Sequence, residues 1–131
     1  MKRNTLPIWI AVPLAIVSAF APASTGAESQ KHTIKVSFNY DFRVTPACSS
    51  KSKGVCVQEF VLYDISAGVS NRTKLMDILV PANPTGLVKG ITGTTIPLLF
   101  EPGRHLLAVV ARTPTGVESN PNRCIYWVTV P

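Results

Sequence analysis

Histidine and carboxylate are scarce in this chain. Of 131 residues, two are histidine, His32 and His105, and seven are acidic. A hydrolytic triad needs a histidine held between a carboxylate and a nucleophile, and neither histidine has such partners near it in sequence. Glu59, Asp64, Asp77, Glu101 and Glu118 are dispersed over separate segments, so paired acids are also missing. No glycine-rich run of the phosphate-cradling kind occurs. Aromatic residues make up 8% of the chain and do not interleave with a basic run, which removes the signature of a nucleic-acid platform. These absences argue against an enzyme, against a bound cofactor and against nucleic acid as a partner.

Long hydrophobic runs are limited to one. Leu6 to Phe20 is apolar, follows the basic start Met1-Lys2-Arg3 and contains Pro7 and Pro13. Thr25-Gly26-Ala27 fits a small-x-Ala cleavage site ahead of Glu28, with Ala23 the other option. The run is shorter than the roughly 20 residues of a spanning helix, and no cysteine follows it to carry a lipid. The expectation is a helical signal peptide over residues 1–27, removed on export, with no stable membrane span afterwards. A retained membrane anchor is the competing reading. The remaining chain, residues 28–131, is roughly 104 residues long, enough for one hydrophobic core. Without Lys2 and Arg3 it carries 11 basic and 7 acidic residues, a net charge of +4. That mild bias favours acidic surfaces only at short range. Export makes disulfides permissible, and three cysteines, Cys48, Cys56 and Cys124, leave one over in a monomer.

Beyond the leader, period-two alternation dominates. His32, Ile34, Val36, Phe38, Tyr40 and Phe42 alternate with Thr33, Lys35, Ser37, Asn39, Asp41 and Arg43. That pattern means a strand with one buried and one wet face. A loop spans Val44 to Gly54. Val55 to Ile65 reads as a strand, with Phe60 and Leu62 on one face and Val57, Glu59, Val61 and Tyr63 on the other. Lys74 to Val80 is a short strand near an edge. Leu87 to Phe100 holds one or two more, interrupted at Gly90 and Gly93, with Pro97 marking an edge or bulge. Pro102-Gly103 then opens onto Arg104 to Arg112, apolar on both faces and hence a central strand. Cys124 to Val130 closes the chain as a final strand. Six to seven short strands without a convincing helix specify an all-β sandwich.

The segment Phe100 to Pro121, FEPGRHLLAVVARTPTGVESNP, together with IKVSF ending at Phe38 and EFVLYD ending at Asp64, resembles a fibronectin type III domain of the kind found in secreted bacterial proteins. In that resemblance IKVSF is the second strand, EFVLYD the third and the long segment the sixth strand with its flanking turns. Phe38 stands where the family usually has Trp, and His105 where it tends to place an aromatic that bonds back across the sandwich corner. The resemblance implies an immunoglobulin-like sandwich serving as a spacer, an adhesion module or a binding scaffold.

It also implies that loops 44–54 and 113–123 share one end of the sandwich, which gathers all three cysteines there. Cys48–Cys56 is the favoured disulfide, closing a small ring for about 2.5 kcal/mol. Cys48–Cys124 is the alternative, and Cys56–Cys124 is disfavoured by strand spacing. The odd thiol is then Cys124, partly buried and free, with a covalent link to a partner as its functional alternative. A zinc site needs at least three properly spaced ligands, and with His105 placed at the far end none is expected. Arg43, Lys51, Lys53 and Arg112, with Arg123, form a candidate binding rim for an unknown protein or an acidic polysaccharide. A structural protein that self-associates as a homo-oligomer is the reading from a different class. It rests on Val57, Val61, Tyr63, Leu106, Ala108, Val110, Ile125 and Trp127 pointing away from the core as one apolar face.

Overall fold

The structure, a computed structural model, describes residues 14–19, 30–52 and 54–131. It is all-β, in two antiparallel sheets. Twelve alternating residues form β2 (Gln30–Asp41), in which Ile34, Val36, Phe38 and Tyr40 are fully buried. β2 pairs with β5 (Leu87–Thr94) and β6 (Leu98–Phe100) along one side. Between them Thr95 exchanges two bonds with Ile34: its N–H donates to the Ile34 carbonyl, and its Oγ1 accepts from the Ile34 N–H. Pro97, which has no N–H to offer, falls in the gap between β5 and β6 and leaves the ladder intact.

The second sheet has the order β4-β3-β7-β8, built from β3 (Glu59–Asp64), β4 (Thr73–Leu79), β7 (Gly103–Arg112) and β8 (Ile125–Val130). β7 is interior as its two apolar faces require, with Leu107 to Ala111 all at 0% exposure. β4 is an edge strand. From Gln30 onward seven strands are present, in agreement with the pattern of alternation.

Two expectations are corrected. A helical leader does not hold for Leu14–Ala19. These six residues form a further strand, β1, antiparallel to β2, with Leu14 opposite Ser37 and Ala19 opposite His32. Ile16 and Val17, β-branched, suit a pleated position, and the edge of β2 offers the backbone partners that a helix would supply to itself. The remainder of the run and the cleavage positions lie outside the described residues. Secondly, pairing in β3 begins only at Glu59. Ahead of it the chain leaves the ladder and pairs with Pro46 to Cys48: the Val57 N–H donates to the Pro46 carbonyl, and the Cys48 N–H to that of Val57. Alternation counted back from β3 fails there, and Val57 is buried in the main core.

The core lies between the sheets and takes Phe38, Tyr40 and Phe42 from one side and Phe60 from the other. Elsewhere the sheets approach closely. A Cβ on Gly93 would stand 2.7 Å from Ile78 Cγ1 and 3.2 Å from Met76 Cε, both on β4. Gly90 has a separate reason for being glycine: its φ is +70°, at a register shift where the Asn39 Oδ1 accepts its N–H. Gly93→Ala is therefore expected to destabilise the fold by about 1–3 kcal/mol through overpacking. Urea denaturation reads the loss, and adding Ile78→Val, which removes one of the obstructing carbons, restores part of it.

Candidate binding end of the sandwich

Register alone brings three loops to one end. The last residue of β2, Asp41, pairs with Leu87, the first of β5, and the Phe42 N–H donates to the Gly86 carbonyl. The first residue of β3, Glu59, pairs with Arg112, the last of β7. Segments 42–58, 80–86 and 113–124 thus lie together, as expected for the first and third. The segment 80–86 also belongs there, a placement that depends on which strand β5 pairs with. Between the first two runs a cleft of about 590 Å³, lined by Pro46, Ser49, Gln58, Pro81, Asn83 and Thr85 among others. That volume falls within the usual range for ligand sites. Among the described residues no charged one lines it.

The cationic residues surround this end differently from a bare basic rim. Arg43 is exposed but chelates Asp41, Nε to Oδ1 at 2.9 Å and Nη2 to Oδ2 at 2.7 Å. The hydrogen bonds from the Arg43 side chain, and then from its backbone N–H, hold the Asp41 carboxyl below the usual carboxylate range. Arg112 donates from Nε and Nη2 to Glu118 Oε2 at 3.1 and 3.0 Å, and from Nη1 to Glu59 at 3.3 Å. Its Nη2 also donates to the Tyr63 hydroxyl, which in turn donates to Glu118 at 2.6 Å. Arg72 completes the group, paired with the other Glu118 oxygen at 2.8 Å and lying over the Tyr63 ring. Burial, then the hydrogen bond to Glu118, pushes the Tyr63 phenol up. Lys51 is exposed within a tight Ser49–Ser52 turn. Lys53 lies outside the described residues. Sequence spacing could have flagged Asp41 beside Arg43; the Glu59–Arg112 pairing needed the strand register.

Cys48 and Cys56 are bonded to each other, and Cys124 is free. Cys124 is 2% exposed and belongs to the main core, more deeply set than expected. Its Sγ lies 3.5 Å from the Tyr126 hydroxyl, which donates to the Ser37 carbonyl on β2. Burial pushes the Cys124 thiol up to about 11. It is therefore a thiol and not a thiolate at neutral pH, and is poorly suited to nucleophilic or linking chemistry. Iodoacetamide is expected to spare Cys124 in the native protein and to alkylate it once urea unfolds the chain. A non-reduced digest should yield the Cys48–Cys56 peptide pair.

The apolar outer face of the second sheet is mostly covered. Val61, Tyr63, Ile65, Ala108 and Val110 form a second buried cluster, with Leu106 packed against it. Only Ile125 and Trp127 of the expected patch are exposed, and the Arg104 guanidinium lies 4.1 Å from the Trp127 ring centre.

His105 does have a carboxylate, which alternation could not reveal. Asp64 Oδ2 lies 2.9 Å from its Nδ1, and its Nε2 lies 2.7 Å from the Glu101 carbonyl. Both ring nitrogens are thus engaged, and which of them donates depends on the protonation state of the ring. Among the described residues no group of three His, Cys, Asp or Glu side chains could hold a metal ion, and no helix is long and apolar enough to cross a membrane. No family model matches the chain, and no curated protein or solved structure shows a significant match to it.

Burial pulls the His105 pKa down, but the Glu101 carbonyl and then the Asp64 carboxylate outweigh it, and the net movement is above the usual 6.5. A raised folded pKa adds stability that is full below the unfolded value and fades as pH rises through the folded one. Stability against urea, with pH stepped from 5 to 9, should show this component fading as pH rises above 6.5 in the native chain and absent in His105→Gln.

Proposed function

We propose that this chain is an exported, non-enzymatic, fibronectin type III-like module that binds a polypeptide through the cleft at its loop end. The basic start, the apolar run and the small residues before Glu28 support export with removal of the leader, and the Cys48–Cys56 bond is consistent with an oxidising compartment. The fibronectin-like reading is supported by His105: its Nε2 bonds back to the carbonyl of Glu101, four residues upstream, much as the corner aromatic of immunoglobulin-like sandwiches bonds to upstream backbone.

The cleft carries the choice of a polypeptide partner. Its lining offers prolines, small apolar groups and the neutral polar groups of Ser49, Gln58, Asn83 and Thr85. Such a surface suits an extended peptide, which needs apolar pockets and hydrogen-bonding groups in alternation. Arg43 and Arg112, the strongest candidates for an electrostatic rim, are occupied by Asp41, Glu59 and Glu118.

An acidic polysaccharide is the second reading, favoured by Lys51 and Arg123, both exposed at the same end. Binding of the exported protein to cell-surface extract, measured at low and high salt, separates the two. The cleft reading expects Gln58→Trp to weaken binding about tenfold or more, while Lys51→Glu and added salt change it less than about twofold. The reverse pattern selects the polysaccharide. Indifference to both variants removes the loop end as the binding surface.

A further inference from the structure

Leu14–Ala19 is wanted twice: by the leader that is removed, and by the sheet, where it lies along β2 as β1. From this conflict we infer that the exported chain presents the β2 edge as an acceptor for an extended segment of a partner polypeptide, taken up antiparallel in the place of β1. The inference rests on the export reading above and adds a second site to it, away from the loop-end cleft.

The backbone shows which groups are involved. Ile34 directs both its N–H and its C=O to Thr95, on the β5 and β6 side. In a ladder successive residues face opposite sides, so the N–H and C=O groups of Thr33 and Lys35 turn toward β1. Removing β1 deprives them of that partner. The shortened chain begins close to Gln30, where β2 starts, and has no length there to fold back and refill the edge. β1 also neighbours β8, so its place is flanked by strands of both sheets.

The register states what would fit. Ala15, Val17 and Ala19 stand opposite Val36, Ile34 and His32, whose side chains are buried. A partner segment therefore needs small or β-branched apolar residues at alternate positions. Ile16 stands opposite Lys35, which is exposed, so a carboxylate there is favoured as a cross-strand pair. The same lysine disfavours a second copy of this edge as the occupant, since a two-fold centred on Lys35 opposes like charges. At the other end His32 is 1% exposed, and neither of its ring nitrogens has a partner among the described residues. A hydroxyl in place of Ala19 would supply one.

The test uses the full chain with a specific protease site placed between Ala19 and Gln30. After cutting and removal of the N-terminal piece, amide exchange of Thr33 and Lys35 should accelerate roughly tenfold or more. A synthetic peptide LAIVSA should restore protection at those two amides. The peptide with serine for its last alanine should do so at lower concentration, and the peptide with proline for its isoleucine, which stands opposite Lys35 at a bonding position, should fail. Unchanged exchange after cutting, or exchange that LAIVSA does not slow, overturns the inference and leaves export untouched. The N-terminus of the exported protein, read by mass spectrometry, tests the premise separately. A start at Ser24 or Glu28 supports it. A start before Leu14 overturns both, because the edge would then be filled by the chain's own strand.

Discussion

Phe60 holds the two sheets in register. Its ring, fully buried, lies 5.0 Å from Phe38, 5.3 Å from Tyr40 and 6.2 Å from Phe42, each contact edge-to-face. Sheets packed face to face sit about 10 Å apart, a gap that aromatic side chains can fill from both sides. Such pairs contribute about 0.5–1.5 kcal/mol each beyond the area they bury. Three of them converging on one residue locate β3 against β2 more narrowly than aliphatic packing would. Where the sheets close in, at Ile78, glycine is the residue that fits opposite it. Bulk at Phe60 and its absence at Gly93 are two aspects of one variation in sheet separation.

With β2 and β3 located, the loop that joins them starts and ends at known places, and the charges at that end follow. Arg112 illustrates what its charge does in the folded chain. Its carbonyl accepts the Gln58 N–H at 2.8 Å, and its guanidinium holds Glu59 on β3 and Glu118 in the following loop. Individually such partly exposed pairs contribute about 0–1 kcal/mol. Together with Tyr63 and Arg72 they tie the loop after β7 to β3 and steady Gln58, which lines the cleft. A site whose wall is positioned in advance loses less entropy on binding.

The strands were legible because alternation over β2 and β8 is nearly unbroken and β7 is apolar on both faces, and the favoured disulfide because a short loop places Cys48 and Cys56 within reach. What escaped the sequence was everything that depends on which strand lies beside which. Asp64 meets His105 only because β3 pairs with β7. Val57 reads as a continuation of β3 until Pro46 and Cys48 claim its backbone. The expected apolar face failed at Val61, Ala108 and Val110 for a similar reason: alternation reports which side a residue faces and says nothing of what covers that side. The cleft was invisible because its lining comes from segments some thirty residues apart, around Pro46 and Pro81, that carry no motif.

The N-terminal apolar run shows a different limit, since one composition satisfies two demands. Residues apolar enough to be a leader core are apolar enough to lie on a sandwich, and Ile16 and Val17 tilt the balance toward extended chain. β2 has the burial of an interior strand, and an interior strand turned into an edge is a hazard for aggregation. Two features limit that hazard. The Tyr126 hydroxyl occupies the Ser37 carbonyl from β8, shortening the free edge from the six positions of β1, and Lys35 puts a charge in its middle. With Thr33 and Lys35 as the groups left facing outward, about two hydrogen-bonded pairs remain to be made. An edge so short cannot hold an arbitrary strand by backbone bonding alone. Selectivity must come from the side chains set against Val36, Ile34 and His32, and such an edge suits reversible recognition better than permanent assembly.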